Sequence, residues 1–184
     1  MPGGRRTNWL SKPFPQSQTA PSAWLRDRGS LTKRLQTKGA FSVHLITQGL
    51  SLPTDDEAFL LGLPPRKRVW VREVELYCNG KALVFAHTIM PCRPRGPLNR
   101  WFARLGNRSL GALLFTHPGF QRGELGYTAI DRHHPLFAHA ASTLYPEGLP
   151  LGHSAKLWAR RSRFVYKTQT ILVTEIYSPA IASI

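Results

Sequence analysis

Two stretches with the apolar–polar alternation of strands dominate the middle of the chain, "VWVREVELYC" at 69–78 and "KALVFAHTIM" at 81–90, and only Asn79-Gly80 separates them. Successive strand residues face opposite sides of a sheet, and Asn-Gly has the backbone freedom that a two-residue type I′ turn demands. The pattern predicts an antiparallel hairpin. The same period runs through "FSVHLITQGL" at 41–50, and again through "KLWARRSRFVY" and "ILVTEIYSPA", which the turn residues "KTQT" join into a second hairpin-like pair.

Between the strands lie short helix signals. Ser30 as N-cap, Leu31 and Leu35 one turn apart and Gly39 as a stop predict a helix over about 31–38. Thr54 and Glu57 have capping-box spacing, and Gly62 ends the turn or two that they open. Pro97 opens a helix through "PLNRWFARLG", stopped by Gly106, and Ser109 caps another through "LGALLF". Residues 117–153 combine many Gly, Pro and His with little periodicity, which predicts an irregular insertion over the surface. Residues 1–22, rich in Pro, Ser, Gln and Gly, read as a poorly ordered tail ahead of a domain over 23–184. Hairpins interspersed with short helices make the fold class α+β: a single domain in which a few helices cover an antiparallel sheet.

Two charges interrupt otherwise apolar rows. Arg72 shares a strand face with Trp70, Val74, Leu76 and Cys78, and Glu175 shares one with Ile171, Val173 and Tyr177. A guanidinium keeps its charge in a protein, so Arg72 needs a partner. The pair can bury itself as an Arg–Glu ion pair, although desolvation can cancel the Coulomb gain, or one side chain can snorkel to water from an edge strand. Alternatively, both face a closed pocket in which Arg72 takes a planar carboxylate and Glu175 a hydroxyl or a transferable proton. The helix starts at Ser30-Leu31 and Ser109-Leu110 add free N–H groups, which favour an anion. The run "WARRSR" at 158–163 reads as a solvated strand face or as the mouth of such a pocket.

Charge narrows the choice of partner only in part. Among 184 residues, 25 Lys and Arg against 10 Asp and Glu give a net charge of +15, a field that draws nucleic acid, anionic lipid surfaces or small anionic substrates. The basic residues are scattered, without zinc-finger spacing, an RNP-like aromatic motif or a basic zipper, so no nucleic-acid partner is expected. No apolar run is long enough to span a bilayer, which leaves transient contact with an anionic membrane surface open. Cys78 and Cys92 read as packed thiols, and the N-terminus lacks an apolar signal core; both point to the cytoplasm. His133, His134 and His139 lack carboxylates or cysteines at ligand spacing, so no metal site is expected, and no P-loop, dinucleotide fingerprint or nucleophile elbow is present.

The blocks "SLTKRL", "VWVREVELYCNG", "SLGALLFT", "KLWARRSRF" and "ILVTEIYSPA", in this order, resemble the bacterial chorismate pyruvate-lyase family, whose members make 4-hydroxybenzoate for ubiquinone synthesis. The resemblance covers about residues 24–180 apart from the insertion, which is longer than the family leads one to expect. It implies a twisted antiparallel sheet with a buried product cavity under flap-like segments. It also implies roles: Arg72 in "VWVRE" as the carboxylate-binding arginine, Glu175 in "VTE" at the hydroxyl end of the product, and Leu31 in "SLTKR" and Leu110 in "SLGAL" as main-chain contacts to the carboxylate. The implied reaction eliminates the enolpyruvyl group of chorismate with aromatisation of the ring, with no cofactor and with slow product release. Nothing demands a dimer, and a monomer is expected. The same fold resembles the effector-binding domain of a family of bacterial repressors, so the alternative is a non-catalytic small-anion sensor. That reading wants a winged helix-turn-helix, which 22 residues cannot hold.

Overall fold

The computed structural model describes residues 8–12, 21–92, 97–148 and 155–184. After α1 (Ser22–Arg26), α2 (Leu31–Gln36) starts on Ser30, whose Oγ accepts the Lys33 N–H at 3.3 Å. Strand β1 (Phe41–Ser51) leads to α3 (Asp55–Leu60), where the Thr54 N–H donates to Glu57 Oε2 at 3.0 Å. Strands β2 (Val69–Cys78) and β3 (Lys81–Pro91) meet at Asn79 and Gly80, with φ of 50° and 76°, the left-handed pair that a type I′ turn requires. Helices α4 (Pro97–Ala103) and α5 (Leu110–Thr116) follow, and Ser109 Oγ caps the latter by accepting the Ala112 N–H at 3.3 Å. The chain continues through β4 (Phe120–Ile130), α6 (Phe137–Leu144), β5 (Leu157–Tyr166) and β6 (Gln169–Tyr177) to a 3-10 turn over Pro179–Ser183.

Three expectations need correction. The segment 117–153 is not irregular: it supplies the 11-residue strand β4, paired along β5, and the helix α6. The tail is held where it is described, since Leu10 and Tyr127 exchange both backbone hydrogen bonds at 2.8 and 2.9 Å. The rest of the tail lies outside the described residues, as do the ends of the insertion at 149–153. The third concerns "WARRSR": Arg160, Arg161 and Ser162 are buried, because helices cover this sheet on both faces.

The strand order is β1-β2-β3-β6-β5-β4, antiparallel at every step, so the two hairpins zip together where β3 meets β6. On the front face, α2 and α5 bring Leu31, Leu35, Leu110 and Leu114 down onto residues such as Val74, Ala86 and Phe164. On the back face, α6 packs Phe137, Ala140, Ala141 and Leu144 against Phe85, Ala159 and Ile176. Among the described residues, no helix is long and apolar enough to cross a membrane.

The back face also carries a buried ionic row. Glu73, His87, Thr174 and Arg161 stand side by side in register across β2, β3, β6 and β5. Helix α3 lowers Glu57 onto them: His87 Nδ1 donates to Glu73 Oε1 at 2.9 Å, and its Nε2 lies 3.4 Å from Glu57 Oε1. Arg161 donates to Asp56 Oδ2 at 2.8 Å, and the Trp9 ring lies over its guanidinium at 3.9 Å. Gly126 makes room for that ring, since a Cβ there would meet Trp9 at 3.3 Å. Burial opposes a charge on His87, but Glu57 and Glu73 outweigh it and push the imidazole up to about 9. The row therefore ties α3 and the N-terminal segment to the sheet as a charged unit, behind the cavity described next.

Candidate active site

Between the front of the sheet and the starts of α2 and α5 lies a small cavity, closed over by side chains from both helices. All four residues singled out from sequence line it: Arg72 from β2, Glu175 from β6, and Leu31 and Leu110 from the helix starts. Val74, Leu114, Phe164 and Val173 make most of the remaining wall apolar. The site is a mostly apolar slot with charge at chosen points.

Arg72 and Glu175 occupy adjacent rows of the front face, Arg72 opposite Thr88 and Glu175 opposite Ala86. They do not pair with each other. Arg72 is 1% exposed, and its Nη2 donates to the carbonyls of Gly106 and Arg108 at 2.8 and 2.9 Å, while its buried Nε has no acceptor. It forms no ion pair among the described residues, and burial alone pulls it down to about 10, which leaves it charged at neutral pH. A buried cation without a counter-charge is costly. Its position therefore makes sense where a ligand brings the anion.

Glu175 is held from behind. Its Oε2 accepts from Arg160 Nε and Nη2, both at 2.6 Å, and from the Tyr177 hydroxyl at 3.2 Å. Arg160 is fixed in turn by the carbonyls of Trp24 and Asp27, so α1 takes part in setting the carboxylate. Burial works against the charge on Arg160, and Glu175 more than restores it, driving the guanidinium above its ordinary value. Arg160 and Tyr177 both engage Oε2, and Glu175 itself lines the cavity.

The helix starts converge on the same space. Thr32 Oγ1 and Ser109 Oγ are 2.6 Å apart and pin α2 to α5 at their first turns. Gly111 permits this approach, because a Cβ there would meet Thr32 Oγ1 at 2.9 Å. Leu31 and Leu110 are the first residues of their helices, where a backbone N–H has no acceptor within the helix. One cation and two such amides therefore border the same cavity.

The family model for chorismate lyase matches residues 5–183. Among curated relatives, the probable chorismate pyruvate-lyase of Dechloromonas aromatica is 42% identical over 181 residues, covering 96% of this chain and 97% of that one. The chain belongs to the chorismate lyase family. The probable chorismate pyruvate-lyase of Nitrosomonas europaea is 43% identical over 159 residues, 86% of each chain. Among solved structures, the effector domain of PhnF from Mycobacterium smegmatis has a TM-score of 0.54 at 14% identity, covering 81% of this chain and 88% of that one, a likeness of fold.

The chorismate lyase match runs through β4, the strand whose periodicity sequence reasoning missed, and β4 brings Arg122 into the cavity wall. Arg160 and Tyr177 were missed as supports of Glu175. Register was the signal that could have found Arg160: pairing the last two strands through their turn sets it directly opposite Glu175.

Proposed function

We propose that this chorismate lyase family member converts chorismate to 4-hydroxybenzoate and pyruvate, the first step of ubiquinone biosynthesis. The buried, uncompensated Arg72 at one end of an apolar slot carries the reading. The ring carboxylate of chorismate sits on Arg72 as a bidentate pair, with the amides of Leu31 and Leu110 completing a carboxylate cradle. Glu175 receives the C4 hydroxyl at the other end, fixing the ring between two polar points.

In this pose the C4–H and C3–O bonds break, the ring gains its third double bond, and the enolpyruvyl group leaves as pyruvate. The proton lost from C4 ends on the pyruvate methyl carbon, directly or by way of Glu175. Aromatisation supplies the drive, so the reading calls on no metal, nucleotide or redox cofactor. The chain's own contribution is to hold a reactive conformer away from water. Its basic surface gathers a dianion.

The product is a test of the cradle. Calorimetric titration is expected to show 4-hydroxybenzoate binding one to one, and its methyl ester about 10–100-fold more weakly, since the ester cannot accept charge-assisted bonds at both oxygens. Equal affinity for acid and ester would remove the carboxylate role of Arg72.

A further inference from the structure

The cavity has a second guanidinium that the cradle does not use. Arg122 enters the wall from β4, four strands across the sheet from Arg72, opposite Phe164 in the β4–β5 register. Its Nε and Nη2 donate to Ser162 Oγ at 3.2 and 2.7 Å, and its Nη1 donates to the carbonyl of Arg28 at 2.6 Å. The rings of Phe115 and Phe164 lie 5.1 and 5.5 Å from the guanidinium carbon, an aromatic seat that fixes its plane. All of these partners are neutral, and Arg122 forms no ion pair among the described residues.

The charges of the site show what is missing. Among the described lining residues, Arg72 and Arg122 are cations and Glu175 is an anion. Glu175 is already neutralised by Arg160 behind it. Two positive charges on the wall of one apolar slot, Arg72 buried and Arg122 half-buried, remain without a counter-charge among the described residues. A monoanion such as 4-hydroxybenzoate answers one of them, whereas chorismate carries two carboxylates. The placement agrees with the count. In chorismate the enolpyruvyl ether at C3 adjoins the C4 hydroxyl, so the second carboxylate must lie on the Glu175 side of the ring. Arg122 lines the cavity on that side of the sheet, on β4 beside the β5–β6 pair that carries Arg160 and Glu175.

Resting on the proposed reaction, we infer that Arg122 binds the enolpyruvyl carboxylate and makes the cavity select the dianionic substrate over its monoanionic product. Once pyruvate departs, Arg122 has no partner in the aromatic product. It contributes to capture of chorismate and nothing to retention of 4-hydroxybenzoate.

The expected result of Arg122→Gln is a KM for chorismate about 10–100-fold higher, the loss of one charge-assisted contact, with the inhibition constant of 4-hydroxybenzoate changed less than about threefold. Arg122→Lys keeps the charge without the planar fork and recovers part of the KM. Arg122 also steadies the Arg28 carbonyl, two residues before the α2 cap, so a purely structural role makes a different forecast. Distortion there disturbs the Leu31 amide and weakens substrate and product alike. Parallel loss of both affinities, or an unchanged KM, overturns the inference. Calorimetric affinities for chorismate and 4-hydroxybenzoate give the same comparison without turnover. If the wild-type protein fails to turn over chorismate, the reaction assignment fails, while a selective loss of chorismate affinity in Arg122→Gln still upholds the second anchor.

Discussion

Replacing Arg72 by Ala is expected to lower kcat/KM for chorismate by about 10²–10³-fold, the effect of leaving a buried substrate carboxylate without its hydrogen-bonded cation. Both the ground state and the transition state carry the ring carboxylate, so the loss is expected mainly as a rise in KM. Stability is expected to respond far less. The change orphans the carbonyls of Gly106 and Arg108, but it also removes a buried cation that has no counter-charge in the free protein. Arg72→Lys restores a point charge without the two-pronged geometry and recovers only part of the activity. Full kcat/KM in Arg72→Ala, measured by steady-state kinetics, removes Arg72 from the site.

His87→Ala is expected to cost about 3–5 kcal/mol of folding free energy, because Glu57 and Glu73 are left buried without the cation between them. The groups facing His87 are Glu73 from β2 and Glu57 from α3; Arg161 of β5 lies 4.0 Å from Glu57 Oε1, and His139 of α6 lies 3.2 Å from Glu73 Oε2. The folded-state value of His87, about 9, lies above its ordinary 6.5. Its contribution is therefore complete below about 6.5 and fades as pH rises through about 9. Burial raises Glu57 and Glu73, but His87 outweighs it and holds both below their ordinary values, so their share is lost on acidification. Urea denaturation of the wild type from pH 6.5 to 10 should show a falling midpoint, and His87→Ala a lower, flatter one. An equally steep alkaline decline in the variant would assign the effect to other groups.

What the sequence discloses here is local. Asn79-Gly80, the Ser30 and Ser109 caps and the Thr54–Glu57 box each act within a few residues, and each appears where its chemistry requires. Arg72 and Glu175 were legible because each breaks a row of period two. Strand β4 was not legible. Gly123 and Gly126 dilute its alternation, and the pairing with β5 shifts between Arg122 and Leu125, which puts the two halves of the strand out of phase. The burial of Arg160 and Arg161 was hidden for another reason. Arg160 meets Glu175, 15 residues on, through the β5–β6 register, but Asp56, the partner of Arg161, lies 105 residues away and only tertiary packing brings that pair together. Glu57 shows the same limit: its capping role is visible in the sequence, whereas its contact with His87 exists only once α3 has docked on the back face. Trp9 sits in a segment of low-complexity appearance, yet its ring covers Arg161 and its Nε1 donates to Asp56 at 2.9 Å.

Purified protein mixed with chorismate in chelator-containing buffer, with 4-hydroxybenzoate and pyruvate followed by chromatography, tests the assigned reaction most directly. The expected result is equimolar appearance of both products, at a rate that collapses in Arg72→Ala. Well-folded protein that leaves chorismate unchanged would contradict the assignment, and the cavity would then be that of a binding domain.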